Sequence, residues 1–145
     1  MAVRQQFTEE QLKEIRNAIA DAERRTSGEI RVHIESRCKE DVMDHAAAMF
    51  AQLHMHETAA RNGVLIYLAT EDRKFAIIGD AGINARVGDD FWQTTYDHAL
   101  PHLRAGRWTA GLTSAIAEAG EALAEHFPFQ ADDVNELSDE ISFGR

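Results

Sequence analysis

Residues Gly63 to Ala69 form an unbroken, largely apolar segment that strongly limits the folds open to this chain. The segment reads Gly-Val-Leu-Ile-Tyr-Leu-Ala, and an apolar run of this length is typical of a strand buried on both faces. Strands of this kind lie in the centre of a sheet that has helices packed on both sides. The sequence therefore predicts an α/β domain built around this strand.

The neighbouring segments predict the strand directions. Residues 30–35 alternate between apolar and polar side chains, which indicates a strand with one buried face, and residues 41–56 have helical spacing. Strand, helix and strand form a βαβ unit, so we expect these two strands to be parallel, with a right-handed crossover. A short polar turn at residues 70–73 precedes a third strand at 74–79, which should therefore run antiparallel to the second.

Helical segments flank this sheet. Thr8 and Gln11 have the spacing of a capping box, which places the start of the first helix after Thr8. We expect two further helices after Gly82, the first beginning at residue 89 or 90 and kinked or split at Pro101. Pro128 should end the last helix. The sequence thus predicts one domain over residues 1–128 and an acidic C-terminal tail over residues 129–145.

Composition excludes several classes of function. The chain has 15 Lys and Arg against 25 Asp and Glu, a net charge of −10, which disfavours nucleic acid as a partner. Cys38 is the sole cysteine, so an intrachain disulfide and a cysteine-based zinc site are excluded. No stretch approaches the ~20 apolar residues of a membrane span, and no signal peptide is visible. We therefore expect a cytoplasmic protein.

Three glycine-bearing segments are predicted to lie at the same end of the sheet. Two precede the parallel strands and the third follows the antiparallel strand: Thr26-Ser27-Gly28-Glu29, Arg61-Asn62-Gly63 and Gly79-Asp80-Ala81-Gly82. Carboxylates and loop carbonyls suit Ca²⁺ or Mg²⁺. Glu29, Asp80 and Asp89 are therefore candidate metal ligands. The alternative is that these residues have ordinary structural roles in a turn, a helix cap and a solvated surface.

Asp72 is a rival metal ligand at the opposite end of the sheet. Ligands of open α/β sheets commonly bind outside the carboxyl ends of the parallel strands, which is the end that carries the turn Glu71-Asp72-Arg73. The convergence of three segments favours the other end. An ordinary polar hairpin turn would also explain Asp72.

The order and spacing of these segments resemble those of the TPM domain family. The resemblance covers roughly residues 8 to 128 and implies a three-layer α/β/α sandwich. It also implies low acid phosphatase activity or binding of calcium or another divalent ion, both of which have been linked to family members. Relatives commonly have Gly-Tyr-Gly after the third strand, whereas this chain has a carboxylate there, Asp80. Matching segments include Thr26-Ser27-Gly28-Glu29-Ile30, Asn62-Gly63-Val64-Leu65, Glu71-Asp72-Arg73 and Gly79-Asp80-Ala81-Gly82-Ile83.

Two classes of function are compatible with these observations. The first is a noncatalytic module that binds a protein partner, with a divalent cation ordering its loops. The second is a weak, metal-assisted phosphatase in which carboxylates hold the cation and Arg61 pairs with phosphate oxygens. The sequence contains no clear nucleophile or general base, so we predict the binding module. The sequence does not predict an oligomeric state.

Overall fold

The computed structural model describes residues 2–88, 90–130 and 141–144. Five α-helices and four strands follow a short 3₁₀ helix at Val3–Gln6. In chain order they are α1 (Glu9–Glu23), β1 (Glu29–Glu35), α2 (Val42–Gln52), β2 (Gly63–Ala69), β3 (Lys74–Gly79), α3 (Ala81–Val87), α4 (Phe91–Arg104), α5 (Trp108–His126) and β4 (Ser142–Phe143). No helix in these ranges is long and apolar enough to cross a membrane.

The sheet has the strand order β3-β2-β1-β4. β1 and β2 are parallel, with Ile30 opposite Val64, and β2 and β3 are antiparallel, with Leu65 opposite Ile78. Both predicted directions are confirmed. β4 pairs with β1 in parallel, which places Phe143 opposite Ile34. The sequence analysis did not predict this strand.

Helices cover both faces of the sheet, so the predicted three-layer α/β/α sandwich is confirmed. Alternate strand residues, among them Val32, Ile66 and Ile77, pack in the main core with α1, α4 and α5. The intervening residues of β2 and β3 face α2, where Tyr67 and Leu65 are buried. Strand residues alternate between the two faces, so each strand contributes to both layers.

Helix ends follow the local sequence in two cases. Thr8 and Gln11 form the predicted capping box, with Gln11 N donating to Thr8 Oγ1 at 3.0 Å and Thr8 N donating to Gln11 Oε1 at 2.9 Å. Asp41 caps α2 through the N–H of Asp44. α2 ends at Gln52 rather than at residue 56, because His54 has a left-handed φ of 58° that a helix cannot continue through.

Two predictions in the second half of the chain differ from the structure. The short helix α3 directly follows Asp80 and was not predicted, since its seven residues show little periodicity. α4 is not split at Pro101 but continues to Arg104. Pro101 removes one helical hydrogen bond, the one to the carbonyl of Asp97, and α4 continues for one further turn beyond it.

Candidate functional site

The three glycine-bearing segments converge at one end of the sheet, as the topology predicts. Backbone hydrogen bonds link them: Glu29 N donates to Asn62 O at 3.4 Å, Asp80 N to Gly63 O at 2.9 Å, and Gly82 N to Arg61 O at 2.8 Å. We call this set of segments the motif end. The role of its residues as ligands stays a prediction.

Arg61 and Asp80 form a two-pronged ion pair at the motif end. Arg61 Nε donates to Asp80 Oδ2 at 2.7 Å and Nη2 donates to Oδ1 at 2.8 Å. Asp80 Oδ1 also accepts from Ala81 N at 2.7 Å, which caps α3. The hydrogen bonds and the negative charge of Asp80 raise the pKa of Arg61. Both carboxylate oxygens of Asp80 therefore already have donors, and Arg61 is committed to the same pair.

The glycines of the motif end allow close packing. A Cβ on Gly82 would lie 2.1 Å from Ala60 O, and one on Gly28 would lie 2.7 Å from Leu123 Cδ2. A Cβ on Gly63 would lie 2.9 Å from a backbone carbonyl oxygen. Beside Gly28, Ser27 N donates to a backbone oxygen at the end of α5. These positions are therefore explained by contacts inside the fold.

Glu29 and Asn62 are both buried polar residues at the motif end. Asn62 N donates to the hydroxyl of Thr58 at 3.2 Å. Its side-chain oxygen Oδ1 is buried and has no hydrogen-bond partner among the described residues. A buried oxygen without a donor is costly, so this atom marks a place where a bound group would stabilise the fold.

Two candidate metal ligands remain, Asp89 and Asp72. Asp89 lies outside the described residues. Asp72 lies at the opposite end of the sheet, where Oδ2 accepts from Cys38 N at 2.7 Å. Within residues 2–88, 90–130 and 141–144, no group of three or more His, Cys, Asp or Glu side chains could hold a metal ion.

A largely buried polar cluster that the sequence analysis missed lies between the sheet and α2. We call it the Glu35 cluster; it consists of His33, Glu35, His45 and Tyr67. Glu35 accepts three hydrogen bonds: from Tyr67 Oη at 2.5 Å, from His45 Nε2 at 2.8 Å and from His33 Nε2 at 3.1 Å. The ring of Tyr67 also stacks on His33, with centroids 5.9 Å apart.

The partners of the two histidines indicate their protonation states. His45 donates to Glu35 from Nε2 and to Glu40 from Nδ1, and since a carboxylate only accepts, His45 is an imidazolium. Burial would lower the pKa of His45, but the hydrogen bonds with Glu40 and Glu35 outweigh it and raise the pKa. Burial lowers the pKa of His33 in spite of Glu35, so this ring is neutral and accepts at Nδ1 from Ser142 Oγ at 2.7 Å.

Glu35 is held in its ionised form. Burial alone would raise its pKa, but the hydrogen bonds from Tyr67, His33 and His45 together lower it. Burial and the hydrogen bond to Glu35 raise the pKa of Tyr67 above its ordinary value. A carboxylate whose oxygens accept three donors is poorly suited to remove a proton from a substrate. The hydrogen bonds of the Glu35 cluster instead join β1, β2 and α2, and the bond from Ser142 to His33 adds β4.

The open edge of β3 borders an apolar groove of about 350 Å³. β3 ends the strand order, so one side of this strand has no neighbouring strand in the described sheet. Met43 is 50% exposed although it is a large apolar residue. The groove lies between α2 and α4 and is lined by Val42, Met43, Phe75, Ile77, Trp92 and Tyr96, among others. We call it the β3 groove.

The protein is an α/β/α sandwich with a four-stranded mixed sheet whose glycine-bearing segments meet at the motif end. Comparison with known proteins identifies its family. The family model described as TPM domain matches residues 3–122. This chain belongs to the TPM domain family. The resemblance inferred from the motifs is therefore confirmed.

Solved structures of similar proteins agree with this assignment. The NMR structure of BA42 protein from the psychrophilic bacterium Bizionia argentinensis has a TM-score of 0.88 and 48% sequence identity, with 95% of each chain covered. The N-terminal domain of cg2496 protein from Corynebacterium glutamicum has a TM-score of 0.64 and 18% identity, over 83% of this chain and 76% of that chain. An N-terminal domain from P. gingivalis has a TM-score of 0.67 and 20% identity, over 86% and 82%. The last two show the fold alone. No curated protein matches this sequence.

Proposed function

We propose that this domain is a noncatalytic protein-interaction module that binds an extended, largely apolar peptide along the open edge of β3. The observation that carries this proposal is the β3 groove, an apolar depression directly beside an edge strand. Edge strands bind extended peptides by adding them as a further strand, with main-chain hydrogen bonds for affinity and side-chain pockets for specificity.

The register supplies the main-chain groups for such pairing. Asp80 N donates to Gly63 O, and the antiparallel ladder continues from this pair, so residues 74, 76 and 78 direct their N–H and C=O groups towards β2. Phe75 and Ile77 therefore direct theirs away from β2. They offer a peptide two donors and two acceptors.

The groove walls determine which peptide fits. Side chains of an added strand alternate between the two faces of the sheet. On one face they would meet Trp92 and Tyr96 of α4, and on the other Val42 and Met43 of α2. Both walls are apolar, so the peptide should carry large apolar side chains at most positions.

A short synthetic peptide in which Val and Phe alternate with each other, with lysine at each end, tests this proposal. We expect saturable NMR shifts at the backbone amides of Phe75 and Ile77 and at the indole N–H of Trp92. A peptide of similar composition with proline at alternate positions should cause no such shifts, because proline lacks the N–H that pairing needs. Absence of saturable shifts at the β3 amides would refute peptide addition at this edge.

Two exposed apolar residues provide a matched pair of variants. Met43 and Phe129 are 50% and 49% exposed, and of the two only Met43 lines the β3 groove. We expect Met43→Ser to weaken peptide binding roughly tenfold, equivalent to about 1.4 kcal/mol, since the peptide loses one apolar contact. Phe129→Ser should leave the affinity unchanged. Equal effects of both variants would contradict binding in the groove.

A divalent cation at the motif end is a second candidate function. The buried Oδ1 of Asn62 supports it, because hard cations bind neutral amide oxygens as well as carboxylates, and Asp80 would join such a site by giving up its ion pair with Arg61. An NMR titration with calcium and then magnesium tests it. Saturable shifts clustered at Gly28, Glu29, Asn62 and Asp80 would support the site, shifts clustered near Asp72 would move the site to the other end of the sheet, and no saturable shifts with either ion would refute it.

Weak metal-assisted phosphatase activity stays a prediction. In that mechanism Arg61 would have to leave Asp80 to reach a phosphate oxygen. Loss of phosphate-ester hydrolysis in Asp80→Ala would support the enzyme function. Hydrolysis that needs no metal and is unchanged in this variant would contradict it.

A further inference from the structure

A second, more enclosed cavity lies beyond the β3 groove, on the other side of Phe75 and Tyr96. It has a volume of about 60 Å³ and lies between the β2–β3 hairpin and the end of α4. Phe75, Tyr96, Leu100 and Trp108 contribute apolar walls, and the rings of Phe75 and Tyr96 lie 5.7 Å apart. A cavity of this size accommodates roughly four to six water-sized groups.

Two arginines, Arg73 and Arg104, also line this cavity. Neither forms an ion pair within the described part of the chain, which is also true of Arg16, Arg25, Arg31, Arg86 and Arg107; what sets Arg73 and Arg104 apart is that they line the same apolar cavity. Two guanidinium groups from different elements, neither neutralised by a carboxylate in the described ranges, therefore lie at the same apolar cavity.

The positions of both arginines are fixed by the backbone. Arg73 has a left-handed φ of 54° in the turn between β2 and β3. Arg104 is the last residue of α4, where the negative end of the helix dipole favours a cation. The helix dipole explains the position of Arg104. It does not explain Arg73, which belongs to the turn between β2 and β3.

We propose that this cavity binds a small apolar carboxylic acid, with its carboxylate held by Arg73 and Arg104 and its apolar end among the aromatic and leucine side chains. The planar guanidinium fork matches the geometry of a carboxylate. The same chemistry is offered by a free short-chain acid and by the C-terminus of an apolar peptide. This site does not depend on peptide binding at the edge of β3.

Hexanoate is the first probe, and hexanol, which has the same chain length without the charge, is its control. We expect hexanoate to cause saturable NMR shifts at the indole N–H of Trp108 and at the amides of Phe75 and Tyr96. Hexanol should bind roughly tenfold more weakly or not at all. Absence of saturable shifts with hexanoate, or equal binding of hexanol, would overturn the proposal.

Three charge-neutralising variants separate direct contact from general electrostatics. Arg73→Gln and Arg104→Gln should each weaken hexanoate binding roughly tenfold, because each removes one side of the clamp. Arg107→Gln makes the same change of charge close to Arg104 at an exposed residue that does not line the cavity, and it should leave the affinity unchanged. An equal loss in all three variants would overturn the clamp.

An acetylated Phe-Val dipeptide with a free carboxylate, whose C-terminal side chain is small enough for the cavity, distinguishes the two sources. Tighter binding than hexanoate, with the same dependence on Arg73 and Arg104, would identify a peptide C-terminus as the natural ligand. Weaker binding than hexanoate would identify a free acid. If hexanoate does not bind to this cavity, the expected effect of Met43→Ser on peptide binding at the β3 groove is unchanged, so the two proposals can be refuted independently.

Discussion

Removal of the Tyr67 hydroxyl tests whether the Glu35 cluster stabilises the fold. Tyr67 is fully buried and donates to Glu35 at 2.5 Å, so Tyr67→Phe deletes one hydrogen bond to a charged acceptor and keeps the ring that stacks on His33. Hydrogen bonds to charged groups contribute roughly 1.5–3 kcal/mol. The side chain of Glu35 is only 12% exposed, so water replaces the lost donor poorly.

We therefore expect Tyr67→Phe to lower the free energy of unfolding by about 2 kcal/mol. For a domain near this size the loss corresponds to roughly 4–8 °C in Tm. Urea unfolding at pH 7, followed by circular dichroism, measures the change, and an unaltered m value shows that the two unfolding reactions expose the same surface.

Tyr96→Phe is the matched control, because Tyr96 is half-buried and its ring packs against Phe75. Its hydroxyl has no hydrogen-bond partner in the described ranges, so we expect a change within about 0.5 kcal/mol. In a Glu35→Gln background, the loss caused by Tyr67→Phe should shrink, since a neutral acceptor forms a weaker hydrogen bond. An unfolding free energy of Tyr67→Phe within about 0.5 kcal/mol of the unmodified protein would refute the reasoning.

Three further predictions concern Glu35, His45 and Gly82. The pKa of folded Glu35 is lowered, so its contribution is complete above the ordinary value of 4.5 and is lost as the pH falls through the folded value; the stability difference between the unmodified protein and Glu35→Gln should shrink below pH 4.5 in urea unfolding. The pKa of folded His45 is raised, so its contribution to stability is complete below pH 6.5 and is lost as the pH rises through the folded value. The free energy of unfolding of His45→Gln should therefore fall less than that of the unmodified protein as the pH rises above 6.5. An equal fall in both proteins would contradict a charged His45 in the folded state. Gly82→Ala should lower the unfolding free energy by roughly 1–3 kcal/mol, because its Cβ would meet two backbone oxygens, and unchanged stability would contradict this packing.

The amino-acid sequence predicted the central sheet because its signals are local. The apolar run of β2, the two-residue period of β1 and the short turn at residues 70–73 predict the strand directions, which are confirmed. The capping box at Thr8 likewise depends on neighbours in sequence. From these directions, the convergence of the three glycine-bearing segments followed without knowledge of any side chain.

The chemistry of the candidate sites could not be predicted in the same way. The sequence offered Asp80 as a metal ligand and Arg61 as a phosphate ligand, and the structure pairs these two side chains with each other. The sequence held a faint signal of the Glu35 cluster. His33 and Glu35 share one face of β1, opposite its apolar face, and Tyr67 is the one polar side chain in the apolar run of β2. Only the parallel register places Tyr67 opposite His33.

Sequence by itself determined the class of fold, the strand directions and the end of the sheet at which the motifs meet, since periodicity and turn length act over a few residues. Tertiary structure alone decided which charges neutralise each other, where β4 pairs, and that Arg73 and Arg104 share one cavity. Contacts of this kind join residues far apart in the chain, and their energies depend on distance and burial that no local pattern contains.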